Sequence, residues 1–318
     1  MDKIDLDDAA KARIFERRIM RRFLREEHGA RRPDRPQFVV LGGQPGAGKT
    51  GVLDTTQREA RAGGATWTIN ADDYAGYVPG YKQLQKKHGA DAADMVRDVT
   101  GDWIKRTLDA AKKRGVNVVF ESTMRQPEVV KRTLADFRGA GYETHAKALA
   151  VSPMVSWQGN HVRRESLALS GAPTRLATRD AHDAGVRGCM TTVAMIERER
   201  LADRMTIVTR SGDVLYSNEQ RAGQWIKHAQ AAECLQAFRN KPLSKAEAQI
   251  HDATWGDVME MAARRHARDR TPAAEAKKEI DAIRKDRSAD AAATHLHRIE
   301  KQTGASRAPV QRKDPDRG

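Results

Sequence analysis

The chain has 318 residues, 39% of them hydrophobic and 31% charged, with a formal net charge of +14. No window holds the roughly 18 apolar residues of a membrane helix, and the N-terminal segment has no apolar signal core, so a cytoplasmic protein is expected. The basic excess is interleaved with acids and aromatics are only 5%, which makes nucleic acid an unlikely partner and suits an acidic small molecule such as a nucleotide.

Residues 5–28 predict a helix, with Ile14, Phe15, Ile19, Phe23 and Leu24 at helical spacing, closed off by Pro33 and Pro36. FVVLGG (38–43) reads as a buried parallel strand. Comparable strands are TWTIN (66–70), VNVVF (116–120), THAKALAV (144–151) and MTIVT (205–209). Helical stretches near 50–62, 94–114, 127–139, 153–169 and 190–202 lie between them. This alternation predicts an α/β protein of the P-loop NTPase fold, a parallel sheet flanked by helices. DVLYSN (213–218) is expected to pair back on MTIVT as an edge strand through the turn at Ser211-Gly212. Beyond Asn218 the reading is helical only, near 219–238, 243–267 and 273–287, before a Lys/Arg/Pro tail expected to be disordered. The expected organisation is an N-terminal helix and linker (1–35), a kinase core (36–218), a helical C-terminal extension (219–305) and the tail (306–318). Cys189 and Cys234 have no zinc or redox spacing.

The segment Gly43-Gln44-Pro45-Gly46-Ala47-Gly48-Lys49-Thr50 fits G-x-x-x-x-G-K-[ST] at every fixed position. Glycines let backbone N–H groups close around phosphate oxygens, and the following helix directs its positive dipole end at them. Lys49 is expected on the β/γ-phosphates of ATP or GTP and the Thr50 hydroxyl on Mg²⁺.

TWTIN ends in Asn70-Ala71-Asp72-Asp73. Ligands gather at the carboxyl ends of parallel strands, where a carboxylate can orient an acceptor hydroxyl and take its proton. Either aspartate can instead cap the next helix; alternation along a strand favours Asp72 facing the acceptor. Glu121 ends the third strand, where it can hold the metal through water or bind substrate hydroxyls. Arg163, Arg164, Arg175 and Arg179 surround a Gly-Ala-Pro turn and are candidates for a cationic lid over the transferred phosphoryl group; salt-bridged surface helices are the plain alternative.

The ordered set GQPGAGKT (43–50), NAD (70–72), ESTMR (121–125), RRE (163–165) and RLATRDAHD (175–183) resembles the zeta toxin family of P-loop kinases. The resemblance spans roughly 36–218. It implies phosphorylation of the 3′-hydroxyl of the sugar in UDP-N-acetylglucosamine, which poisons cell-wall synthesis, and a small helical antitoxin as partner. By position it implies Asp72 as base, Glu121, Thr123 and Arg125 lining the sugar-nucleotide site, and Arg163 and Arg175 stabilising the transferred phosphate. Ser122 stands where the family has glycine and Arg164 where it has tyrosine. Lys105 occupies the place of an acid that some members carry, with Asp102 one turn away. A polynucleotide or other small-molecule kinase, and a P-loop NTPase switch or binding module, are the competing readings.

Overall fold

The computed structural model describes Ile4, residues 6–172, Thr174 and residues 176–303. The chain divides into two compact units, Met1–Asn240 and Lys241–Gly318.

In the first unit the N-terminal segment is one run of helical backbone. It comprises α1 (Asp8–Ile14), a π-helical turn (Phe15–Met20) and α2 (Arg21–Glu26). Phe15, Ile19, Met20 and Phe23 are buried in the main core. Phe23 packs against Trp67 at a centroid distance of 4.9 Å, and the Trp67 indole N–H donates to Glu27 at 3.0 Å. The helix therefore folds onto its own chain.

The sheet is built from β1 (Gln37–Gly42), β2 (Thr66–Asn70), β3 (Asn117–Ser122), β4 (Glu143–Leu149), β5 (Arg204–Val208), β6 (Val214–Arg221) and β7 (Gln224–Trp225). Its order is β2-β3-β1-β4-β5-β6-β7. The first five strands are mutually parallel, and β6 and β7 add antiparallel. β1 and β3 are apolar because helices cover both faces, as in parallel sheets generally. The connections from β1 and from β3 leave in opposite directions around β1, which opens a crevice at the carboxyl end of β1.

The helices of this unit are α3 (Lys49–Gly63), α4 (Tyr81–His88), α5 (Ala92–Met95), α6 (Arg97–Arg114), α7 (Pro127–Gly139), α8 (Pro153–Leu169), α9 (Arg179–Glu199) and α10 (Ala231–Asn240).

Helix α4 was not expected from the sequence, and three further elements differ from the expectation. First, residues 219–225 continue as strand and turn, and α10 begins only at Ala231. Ala222 and Gly223 both have positive φ (49° and 75°), the backbone a two-residue hairpin needs. The stretch is polar on both faces, so no alternation marks it. Asn218 closes it from within, accepting from Lys227 N and donating to Lys227 O, each at 2.9 Å.

Second, α9 starts at Arg179 rather than near 190, capped by Thr178, whose hydroxyl accepts from Ala181 N at 3.2 Å. Gly185 and Gly188 weaken the helical signal there, yet both are close-packing points. A Cβ on Gly185 would lie 2.9 Å from Pro45 Cδ, and one on Gly188 2.2 Å from the Arg125 carbonyl oxygen.

Third, a 3₁₀ helix (Ala71–Tyr77) follows β2, where the reading gave an aspartate pair ending a strand. Asn70 caps it, accepting from Asp72 N at 2.9 Å.

The second unit pairs α11 (Lys245–Asp269) with α12 (Ala273–Thr303). Ser244 and Glu247 form a reciprocal capping box at the start of α11. Asp290 holds both His251 Nε2 (2.9 Å) and the Trp255 indole N–H (3.0 Å) inside the pair. The expected disordered tail, and Arg175, lie outside the described residues. No described helix is long and apolar enough to cross a membrane.

Candidate active site

The phosphate loop joins β1 to α3 across the carboxyl end of the sheet. Gly46 and Gly48 have φ of 75° and 76°, a region that L side chains avoid. Packing fixes them as well. A Cβ on Gly46 would lie 1.9 Å from Ser156 O, and one on Gly48 2.6 Å from Arg210 Nε. Arg210 donates to the carbonyls of Ala47 (3.1 Å) and Gly46 (2.9 Å), and Asn160 donates to Pro45 O at 3.3 Å. These clamps hold the loop in a shape whose N–H groups can surround a phosphate.

Gln44 is fully buried and anchors the loop from below. Its amide donates to Val151 O (2.8 Å) and Ser156 Oγ (3.2 Å), and its carbonyl accepts from Arg239 Nη2 of α10 at 2.7 Å. Lys49 Nζ donates to Gly43 O at 3.0 Å and stands 3.6 Å from Glu121 Oε1. Thr50 is exposed on the first turn of α3.

Glu121 lies at the end of β3, mostly shielded from solvent. Burial pushes its carboxyl above the ordinary range; Lys49 opposes this and the Asp72 charge adds to it. Asp72 stands on the 3₁₀ helix, with Arg163 Nη2 of α8 3.7 Å from its Oδ2. Lys49, Glu121, Asp72 and Arg163 thus form one run across the ends of β1, β3 and β2, two neighbouring carboxylates with a cation on either side. A cavity of about 530 Å³ opens beside Asp72, with Arg163, Asp73, Tyr81 and Lys82 also in its wall.

Asp73 also borders this cavity, contrary to the expectation from strand alternation. The chain has already left the strand at Asn70, so the period of two does not apply. Nor does Asp73 cap the next helix. It binds Arg22 Nη1 of α2 at 2.9 Å.

The other anticipated residues are dispersed. Thr123 is exposed and Arg125 half-buried, on either side of Met124, whose φ is 48°. Met124 fills the space over Gly42 and its carbonyl accepts from Thr192 Oγ1 at 2.7 Å, so the kink is held by packing. Neither residue lines the cavity beside Asp72. Of the three described lid arginines, Arg163 reaches Asp72. Arg164 pairs with the fully buried Glu165 at 3.5 Å, and Arg179 lies over the Trp157 ring and pairs with Asp183 at 3.2 Å. Asp102 pairs with Arg106 on α6 at 2.8 Å, and Lys105 is exposed.

His182 joins Ser156 Oγ (2.8 Å) to Asp183 Oδ1 (2.9 Å). This is a Ser-His-Asp chain without access to a substrate, since Ser156 and His182 are both fully buried. Burial lowers the His182 pKa, against the pull of Asp183. The chain is a strut, tying α9 through Ser156 to Gln44 and so to the phosphate loop. The sequence reading missed Arg210, Arg239 and Asn160. Arg210 follows the last parallel strand, so the rule that places ligands at strand carboxyl ends could have found it. Arg239 carries no local signal at all.

The zeta toxin family model matches residues 21–221. Toxin PezT of Streptococcus pneumoniae is 25% identical over 207 residues, covering 65% of this chain and 81% of that protein. Toxin zeta of Enterococcus hirae is 27% identical over 206 residues, covering 64% and 71%. Among solved structures, one from the molecular and structural characterization of the PezAT chromosomal toxin-antitoxin system of Streptococcus pneumoniae superposes with a TM-score of 0.68. It is 23% identical and covers 80% of this chain and 99% of its own. The crystal structure of AvrRxo1-ORF1:-ORF2 with ATP gives a TM-score of 0.50 at 12% identity, covering 91% and 90%. Both structures share the fold.

Proposed function

The chain belongs to the zeta toxin family, and on that premise we propose that it is a kinase that transfers the γ-phosphate of ATP or GTP to a hydroxyl of a sugar nucleotide. UDP-N-acetylglucosamine is the first candidate acceptor, and toxicity would follow from loss of a cell-wall precursor. The observation that carries this reading is the run Lys49, Glu121, Asp72 and Arg163 between the phosphate loop and the cavity. A P-loop that only switches needs a positioned water, whereas here a carboxylate stands beside a space large enough for an acceptor.

In this mechanism Lys49 leaves the Gly43 carbonyl for the β- and γ-phosphates, and the loop N–H groups hold the remaining phosphate oxygens. Asp72 accepts the proton of the acceptor hydroxyl as its oxygen bonds to the γ-phosphorus. The bond from that phosphorus to the bridging oxygen breaks, and the nucleoside diphosphate departs. Arg163, with Arg175 from the lid, stabilises the charge on the phosphoryl group in flight. Glu121 orients the acceptor, and Thr123 and Arg125 would contact only a part of it that extends beyond the cavity beside Asp72.

The donor set suits Mg²⁺, which is commonly bound by one or two carboxylates, phosphates and water. Thr50 presents a hydroxyl on the first turn of α3, and Glu121 lies beside Lys49. Among the described residues no cluster of three or more His, Cys, Asp or Glu could hold a metal alone, so nucleotide phosphates would complete the shell. Bound there, the ion would neutralise charge on the β- and γ-phosphates. An antitoxin partner belongs to the same reading, since the fold neighbours include a toxin-antitoxin system.

The test is to incubate the protein with Mg²⁺ and γ-labelled ATP or GTP, offering UDP-N-acetylglucosamine, other UDP-sugars or an oligonucleotide as acceptor. Label in a UDP-sugar is expected. Label in the oligonucleotide would replace the acceptor class, and phosphate released only to water would favour the switch reading.

A further inference from the structure

We propose that Arg18, on the N-terminal helix, is a specificity residue that binds a phosphate group carried by the acceptor, with Lys82 of α4 as its second cation. The proposal deepens the preceding reading and rests on it for where the acceptor hydroxyl sits.

Both cations line the 530 Å³ cavity that Asp72 and Arg163 also border. The charges in that wall are not balanced. Asp72 is paired with Arg163, and Asp73 is taken by Arg22 from outside the lining. Among the described residues no carboxylate lies within ion-pair distance of Arg18 or Lys82. A neutral acceptor would leave two cations facing it. An acceptor with its hydroxyl at Asp72 and a phosphate further along the cavity would use both.

The backbone also prepares Arg18 for this task. It lies in the π-helical turn Phe15–Met20, whose Phe15, Ile19 and Met20 are buried. Such turns are rare, and are frequent at functional sites, because the extra residue re-aims a side chain without ending the helix. Here the guanidinium sits 5.4 Å from the centroid of the Tyr77 ring. Tyr77 is the last residue of the 3₁₀ helix that carries Asp72. This cation–π contact limits where the guanidinium can swing and leaves N–H groups for an anion, which it can bind with two parallel hydrogen bonds.

The experiment uses the full chain with its phosphate loop filled by Mg²⁺ and a non-hydrolysable ATP analogue. UDP and uridine are then titrated by calorimetry into wild type, Arg18→Ala and Arg18→Lys. Wild type is expected to bind UDP at least about tenfold more tightly than uridine. Arg18→Ala should lose about tenfold for UDP and nothing for uridine, and Arg18→Lys should recover part of the loss. In turnover, Arg18→Ala should raise the acceptor KM while leaving kcat and the ATP KM near wild type.

Equal wild-type affinity for UDP and uridine, or undiminished UDP binding by Arg18→Ala, overturns the proposal. So does an equal loss for both ligands, which would mark a packing role. If wild type binds UDP through Arg18 yet phosphorylates no UDP-sugar, the reading of the acceptor fails and the Arg18 assignment stands. If UDP-sugars are phosphorylated with an unchanged KM in Arg18→Ala, the kinase reading stands and this one falls.

Discussion

The donor and acceptor sides of the crevice are built by different means. The donor side is eight consecutive residues whose backbone makes the site, clamped by Arg210, Asn160 and the buried Gln44. The acceptor side is assembled from side chains far apart in sequence, Asp72, Glu121 and Arg163, of which Asp72 and Arg163 are about half exposed (48% and 59%). A phosphate can be held by a rigid loop because every nucleoside triphosphate presents the same group. An acceptor must be recognised by its own shape and charge, which calls for side chains gathered from several elements rather than one loop.

If this division is right, mutations on the donor side should stop turnover outright. Lys49→Ala is expected to lower phosphotransfer by on the order of 10³-fold or more, since the ammonium binds charge that grows during transfer. Circular dichroism and the melting curve should remain those of a folded protein. A variant with near wild-type turnover would break the donor assignment entirely.

Next in size is the comparison of Asp72→Asn with Asp73→Asn. Loss of a general base costs roughly 10²–10⁴-fold, and that loss is expected for Asp72→Asn at saturating nucleotide. Asp73→Asn removes a half-exposed ion pair with Arg22, a stability change of about 0–1 kcal/mol, and should keep most activity. Since both aspartates border the cavity, the reverse result would mean that Arg22 and Arg163 hold the wrong partners in this state.

How far the two sides could be read from sequence follows the same division. The phosphate loop was legible because its chemistry is local: glycines at fixed spacing between an apolar strand and a helix. The five parallel strands were legible for the same reason, as short apolar runs. Asp72, Glu121 and Arg163 could be listed only through strand ends and motif order, and nothing in the sequence brought Arg163 to Asp72. Arg239 and Arg210 act on the loop from residues about 160–200 positions away, and such contacts leave no local trace. The edge strand at 213–218 was legible, but its continuation through 219–225 and the start of α9 were missed because tertiary packing, at Asn218, Gly185 and Gly188, overrides weak local preference.

The lid arginines sharpen the acceptor side. Arg163→Ala should cost on the order of 10²-fold in kcat with little change in melting temperature, because the side chain is more than half exposed. Arg164→Ala should show the opposite pattern. It removes a cation from beside the fully buried Glu165 and should cost roughly 1–3 kcal/mol in urea unfolding, with kcat largely kept. Matching small effects at both positions would return them to the surface-charge reading.

The smallest expected effect lies in the sheet that both sides share, and it should alter stability without altering chemistry. His145 on β4 bonds Thr206 Oγ1 at 2.9 Å, and burial, aided by Lys147 and Arg204, brings its pKa down to about 3. The unfolded chain titrates it near 6.5. Below that value the unfolded state binds a proton that the folded state refuses, so stability that is complete above pH 6.5 is lost progressively as the pH falls toward 3. The slope from one such group is at most about 1.4 kcal/mol per pH unit. Urea unfolding at pH 7 and pH 5 should therefore show wild type losing more stability than His145→Asn, by roughly 1–2 kcal/mol, while the carboxylates common to both proteins cancel. Activity at pH 7 should be the same in the two proteins, because His145 faces neither the phosphate loop nor the cavity beside Asp72. Equal losses on acidification would mean that the imidazole takes up its proton in the folded sheet. Glu121 would not account for such a loss, because a carboxyl raised by burial holds its proton more readily in the folded chain and gains stability as the pH falls.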